Sequence, residues 1–147
     1  MPPLDSAIAD FQTLLNSNPL ARITEPDAAQ GHHGSWTSKQ ILGHLIDSAA
    51  NNHHRFVRAQ IEPGFSMPGY AQEPWVETQH YRDRPWHELV TLWTAYNRHL
   101  LFLMEQVPQH SRANTCRIGS GDPVTLEFLM VDYVRHLKHH LDQILAR

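Results

Sequence analysis

Apolar residues recur every three to four positions in four separate stretches of the sequence, and proline or glycine punctuates each gap between them. That period is the one that aligns side chains along one face of an α-helix. The first stretch begins near Leu4 and sets Leu4, Ile8, Phe11 and Leu15 on one stripe; Asn16-Ser17-Asn18-Pro19 ends it, because proline cannot continue the helical hydrogen-bond ladder. A connection runs from there to about Ser35. The second stretch opens with Thr37-Ser38-Lys39-Gln40, which fits a capping box, flanked by Trp36 and Ile41 at the spacing of a hydrophobic staple. It continues to about Ile61 and closes at Pro63-Gly64. The third follows Asp83-Arg84-Pro85, carries Leu89, Trp93, Tyr96, Leu100, Leu103 and Val107, and stops at Pro108. The last starts at one of two candidate caps, Asp122-Pro123 or Thr125, and runs almost to Arg147.

Four amphipathic helices in 147 residues predict an all-α fold, a four-helix bundle occupying residues 1–147 as a single domain. An α-solenoid fits less well, since no repeat is visible. Two connections are long, those between helices 2 and 3 and between helices 3 and 4. The first holds Gly64, Pro68, Gly69 and Pro74, with a short helical turn expected around Trp75 to Gln79; the second holds Cys116, Gly119 and Gly121. Long connections in compact domains tend to be functional or to cover something.

Several classes are excluded by composition. A net charge of −3 lacks the basic face of a nucleic-acid binder. The longest apolar run, Leu100 to Met104, ends at Glu105, whereas a bilayer span needs about twenty residues. Met1-Pro2-Pro3-Leu4-Asp5 has neither the basic region nor the apolar run of a secretory signal, and the single Cys116 cannot form an internal disulfide. A soluble, cytoplasmic protein is therefore expected, with no nucleic-acid or membrane partner.

Twelve histidines equal the whole Lys plus Arg count. In the last helix the inward stripe reads Leu126, Leu129, Met130, Tyr133, His136, His140 and Ile144, so two histidines one turn apart stand where apolar residues are expected. That spacing lets both imidazoles reach one ion, although with this many histidines roughly one such pair arises by chance. A hydrogen-bonded pair of core histidines fits the same pattern; His139 between them should face solvent. A third ligand has to come from another helix, and the second helix supplies His44 on a side shared with Ile41, Ser48, Asn51 and Arg55. Asp47, about one turn beyond, has two readings: it orients a ligand imidazole or binds substrate, or it simply faces water. His53 and His54 lie too far along to share the ion of His44.

Gly34-Ser35-Trp36-Thr37-Ser38-Lys39-Gln40-Ile41-Leu42-Gly43-His44, with Asp47-Ser48, Asn51 and Arg55-Phe56, resembles the DinB/YfiT-like superfamily. So do Gly69-Tyr70 with Trp75, and the ending from Asp132 to Ile144. The resemblance implies a four-helix bundle of up-down-down-up type that holds a divalent metal through His44, His136 and His140, and a protein that is often a homodimer. Family members include thiol S-transferases that use low-molecular-weight thiols, mycothiol-dependent isomerases and proteins labelled metal-dependent hydrolases. This chain departs from the YfiT-like pattern at Arg135, where an aromatic residue is usual, and near Ala49, where a further histidine is common.

Three neutral imidazoles leave a divalent ion with an open position, the arrangement of a catalytic site. Such a position can lower the pKa of bound water or hold a thiolate. Zinc is the first expectation and nickel the second. Asp47, Asn51 and Tyr133 are the candidate catalytic residues beside the ligands, and no organic cofactor is expected. Arg55 has two readings, a grip for an anionic group or a solvated helix-end arginine. Tyr70 and Trp75 are readable as a lid or as anchors for their loop, and Cys116 reads as structural. The expected function is that of a metal-dependent hydrolase or thiol S-transferase acting on a small molecule. The alternative is a non-catalytic metal- or ligand-binding bundle with a stress-related role, or a helical dimerisation protein.

Overall fold

A computed structural model of the chain describes residues 3–31 and 35–147; Gly34, which opens the family-like stretch, lies outside them. In chain order the elements are α1 (Pro3–Ser17), α2 (Glu25–Ala29), α3 (Ser38–Ile61), β1 (Ser66–Met67), α4 (Gln72–Thr78), α5 (Trp86–Gln106), β2 (Thr115–Ile118), β3 (Val124–Thr125) and α6 (Leu126–Leu145). The helices α1, α3, α5 and α6 are the four expected from periodicity. Both α1 and α3 pack on α5 and on α6, which closes the bundle. Among the described residues no helix is long and apolar enough to cross a membrane.

Local signals set the helix starts. The Thr37 side chain accepts from the Gln40 amide at 3.2 Å while Gln40 Oε1 accepts from the Thr37 amide at 2.9 Å, so the capping box forms as expected. Of the two candidate caps for α6, Thr125 is used, accepting from the Phe128 amide at 3.1 Å. The short turn around Trp75 appears as α4.

Two features were not readable beforehand. α2 forms inside the first connection, capped by Thr24 with Pro26 in its first turn. β1 pairs in parallel with β2, and β2 pairs antiparallel with β3. These strands are two to four residues long, too short for alternation to stand out from a loop. Cys116 is buried beneath this small sheet, with Thr115 and Arg117 exposed on either side.

The core stripe of α6 is wider than expected. Leu126, Leu129, Met130, Tyr133 and Ile144 are buried as expected, Val134, Leu137 and Leu141 are buried with them, and His136 and His140 are half-buried alongside. A helix offers both 3- and 4-residue steps, so one sequence accommodates two adjacent stripes; the helices packed against it set how many are covered.

The first half of α3 is buried on every side, from Ser38 to Ala49, because α2, α4, α5 and α6 all contact this helix. Lys39 is buried there, and its ammonium pairs with Glu25 at 2.9 Å; Glu25 also accepts the Trp86 amide at 3.2 Å. Gly43 has a steric role. A Cβ at this position would stand 2.1 Å from Cδ2 and 2.4 Å from Cγ of Tyr81, whose ring lies flat against the helix where a side chain would otherwise be. Replacing a mid-helix glycine by alanine ordinarily stabilises by about 1 kcal/mol. Here Gly43→Ala is expected to destabilise by about 1–3 kcal/mol through overpacking, seen as a lower urea midpoint with unchanged slope. A midpoint at or above that of the parent protein would refute the close Tyr81 contact.

Candidate metal centre

His44 is positioned by the capping box, which fixes where α3 begins and so how its side chains are phased. Further along, Phe56 meets Tyr133 with ring centroids 5.8 Å apart, while His44 meets His136 and His140 at 5.3 and 4.9 Å. Early residues of α3 thus lie beside late residues of α6, and the two helices are antiparallel. His136 and His140 are 4.5 Å apart between centroids. All three rings stand nearly edge to face, at 80–82°, so each can direct a nitrogen inward. One ring nitrogen from each lies within 4.8 Å of the other two.

The hydrogen bonding around these rings is incomplete. His44 is fully buried, and neither of its nitrogens has a partner, a costly state for a polar ring. The Nε2 atoms of His136 and His140 face each other at 3.1 Å. His140 Nδ1 lies 2.8 Å from the amide oxygen of Gln143; donating there leaves Nε2 of His140 with its lone pair directed at the cluster. Burial pushes the pKa of His44 down to about 4, helped by His140 and then His136. Burial likewise lowers His136 and His140. Three neutral imidazoles converging in a dry place are the form that divalent cations require, and the orphaned nitrogens of His44 fit that role.

Trp36 leans on His44 with centroids 5.5 Å apart. Outside it opens a cleft of about 550 Å³ whose walls include Trp36, Ile41, Gln72, Glu73, His140 and Gln143.

The remaining candidates are distributed around this cluster. Asp47 is buried, not water-facing. Its Oδ1 accepts from Tyr81 Oη and from Gln79 Nε2, each at 2.7 Å, while Oδ2 is buried without a partner. Burial raises its pKa, and the bonds from Tyr81 and Gln79 oppose that rise. It makes no bond to His44, whose nitrogens are unpartnered. Asn51 Nδ2 donates to the Asp47 carbonyl at 2.9 Å. Tyr133 donates its hydroxyl to Asn97 Oδ1 and packs between Phe11 and Phe56, which turns its polar end toward α5. Arg55 is half-buried in the middle of α3, not at a solvated helix end. Tyr70 and Trp75 stack edge-on at 5.3 Å, and Trp75 remains exposed.

His53 lies apart, its Nδ1 2.9 Å from the Tyr96 hydroxyl and its ring 5.2 Å from that of His99. His139 is exposed as expected. Arg135 pairs at the surface with Asp132 at 2.6 Å, and Ala49 is fully buried. Sequence reasoning missed Gln143, Gln79 and Tyr81. Gln143 follows His140 by three residues on one helix face, a signal that was available; the other two come from the long connection, where no periodicity points inward.

His44 makes metal-free stability depend on pH. Its folded pKa near 4 lies below the ordinary 6.5, so between these values the unfolded chain binds the extra proton. This contribution is full above pH 6.5 and is lost as pH falls toward 4. The raised Asp47 works in the opposite sense above its ordinary 3.8 and offsets part of the loss. The melting temperature of chelator-treated protein should therefore fall on acidification through this window, and His44→Leu should flatten the fall. Identical slopes for both proteins would contradict the buried, neutral state of His44.

The sequence profile of the DinB superfamily matches residues 4–144. YfiT of Bacillus subtilis, named as a candidate metal-dependent hydrolase, is 27% identical over 112 residues, which is 76% of this chain and 63% of YfiT. The chain thus spans less than two thirds of that relative's length. A protein of Oceanobacillus iheyensis with the same description is 24% identical over 137 residues, 93% of this chain and 79% of its own. The solved structure of Bacillus subtilis YfiT, described as an unusual four-helix bundle, superposes with a TM-score of 0.85 at 20% identity, covering 96% of this chain and 83% of YfiT. The bundle, the matched profile and the relatives agree: this chain belongs to the DinB superfamily.

Proposed function

We propose that this protein is a metal-dependent hydrolase of a small molecule, with one divalent cation, zinc before nickel, held by His44, His136 and His140. The observation that carries the reading is the fully buried His44, with two unpartnered ring nitrogens, beside a pair of imidazoles whose Nε2 atoms are 3.1 Å apart. A coordinated cation would take one nitrogen from each of the three rings, His44 included. The names of the relatives point to the same reaction class. A cation bound here supplies Lewis acidity toward a polarised substrate bond.

The protein's own groups do the rest. Asp47 Oδ2, unpartnered and with its pKa raised by burial, accepts the proton given up as the nucleophile adds. Tyr81 and Gln79 hold Oδ1 and so fix the direction of Oδ2. Asn51, bonded to the Asp47 carbonyl within α3, and Tyr133, which ties α6 to α5 through Asn97, act as positioning residues. Trp36 limits water around His44.

Metal analysis of tag-free protein tests the reading. About one ion per chain is expected, lost in His44→Ala, His136→Ala and His140→Ala alike. Chelation should lower the melting temperature and re-addition of zinc should restore it. Ester or amide hydrolysis should follow metal content, and Asp47→Asn should lower kcat by about 10²–10⁴-fold with metal retained. Wild-type metal content in all three histidine variants would remove the proposed ligand set; thiol conjugation in place of hydrolysis would reassign the reaction.

A further inference from the structure

Among the described residues, each other cation that is at least half-buried has a carboxylate partner. Lys39 pairs with Glu25, Arg58 with Glu62, Arg84 with Glu88 and Arg112 with Asp5. Arg55 does not. It makes no hydrogen bond or ion pair, and its Nε is buried without a partner. The ionisable groups that act on it are Tyr70 and Cys116, and burial keeps both in their neutral, protonated forms. Arginine stays charged under all ordinary conditions, so a half-buried positive charge stands here with its Nε buried and unpartnered and with no carboxylate beside it. Such a group is matched by a counter-ion from outside the chain.

Its position says where that counter-ion belongs. His44 and Arg55 are eleven residues apart, so they share one face of α3 at an axial separation of about 16 Å. Helical side chains lean toward the N-terminus, so the long Arg55 side chain lies on the histidine side of its own Cα. Tyr70 lies along the interval, close enough to feel both Arg55 and Asp47. A line of polar groups therefore runs from the histidine cluster past Asp47, Ser48 and Tyr70 to Arg55.

We infer that Arg55 is the specificity group of this site and grips an oxyanion (carboxylate, phosphate or sulfonate) at the end of the substrate remote from the bond that reacts. The planar guanidinium suits such groups because it offers parallel N–H donors. The substrate class is then a small anionic ester or amide. This assignment rests on the hydrolase reading for the reacting end, while the anion grip itself stands on Arg55 alone.

Titration of the metal-free His44→Ala protein with inorganic phosphate and, separately, acetate at constant ionic strength separates the two claims, because no cation is there to bind either anion. The readout is the Arg55 Nε–H resonance together with the melting temperature. Saturable shifts of both are expected, with Arg55→Met weakening binding about thirtyfold or more and Arg55→Lys keeping part of it. Methionine fills the same volume, so that variant should fold and melt no lower than its parent without anion. The tighter-binding probe identifies the oxyanion. Saturation by neither anion, or undiminished binding in Arg55→Met, overturns the inference whatever the metal analysis gives; loss of anion binding in Arg55→Met supports it even if the three histidines prove not to hold metal.

Discussion

The arrangement of this bundle turns on placing an imidazole with no hydrogen-bond partner in a dry interior. His44 is the side chain in question, and the surroundings make its position hard to avoid. The capping box at Thr37 and Gln40 fixes the start of α3, and α2, α4, α5 and α6 enclose the first three turns. A cation shared with His136 and His140 would satisfy one of its nitrogens without any path to solvent. Without such a partner the same burial would be a persistent cost to folding.

Polar contacts in the interior are layered along the bundle rather than scattered. At the level of His44, His136 and His140 the groups are neutral and incompletely bonded. Nearby, Asp47, Tyr81 and Gln79 form a network that fixes one carboxylate oxygen and leaves the other free. Deeper, Tyr133 and Asn97 satisfy each other between Phe11 and Phe56, and that layer is closed. Unsatisfied atoms of His44, Asp47 and Arg55 therefore lie along α3. Two long connections cover that stretch. The one after α3 delivers Tyr70, Gln79 and Tyr81, and the one after α5 delivers the strand carrying Cys116. Their length, which the helices alone do not require, is accounted for by these residues.

Much of this was legible in the chain. Four helices, the stop at each proline, the capping box and the outward His139 follow from local rules, because a helix repeats its geometry at every turn. Where the rules failed, the structure used something non-local. The strand β1 is stabilised by pairing with β2, about fifty residues away, and β2 also pairs with β3; none shows an alternation of its own. The stripe on α6 widened to take in Val134, Leu137 and Leu141, since how many neighbouring columns are covered is set by the helices packed against it. Asp47 had two readings because a lone carboxylate on a helix is ordinarily solvated; only the return of Tyr81 across Gly43 buries it.

By itself the sequence determined that His136 and His140 face the same way, since four residues make just over one turn whatever surrounds them. It also determined that His44, Ser48, Asn51 and Arg55 lie on one side of α3. Tertiary structure decided that these two faces meet, how deeply His44 is buried, and that Arg55 meets no carboxylate. Periodicity is a property of one helix, whereas the distance between helices is set by the connections and by all the side chains packed between them.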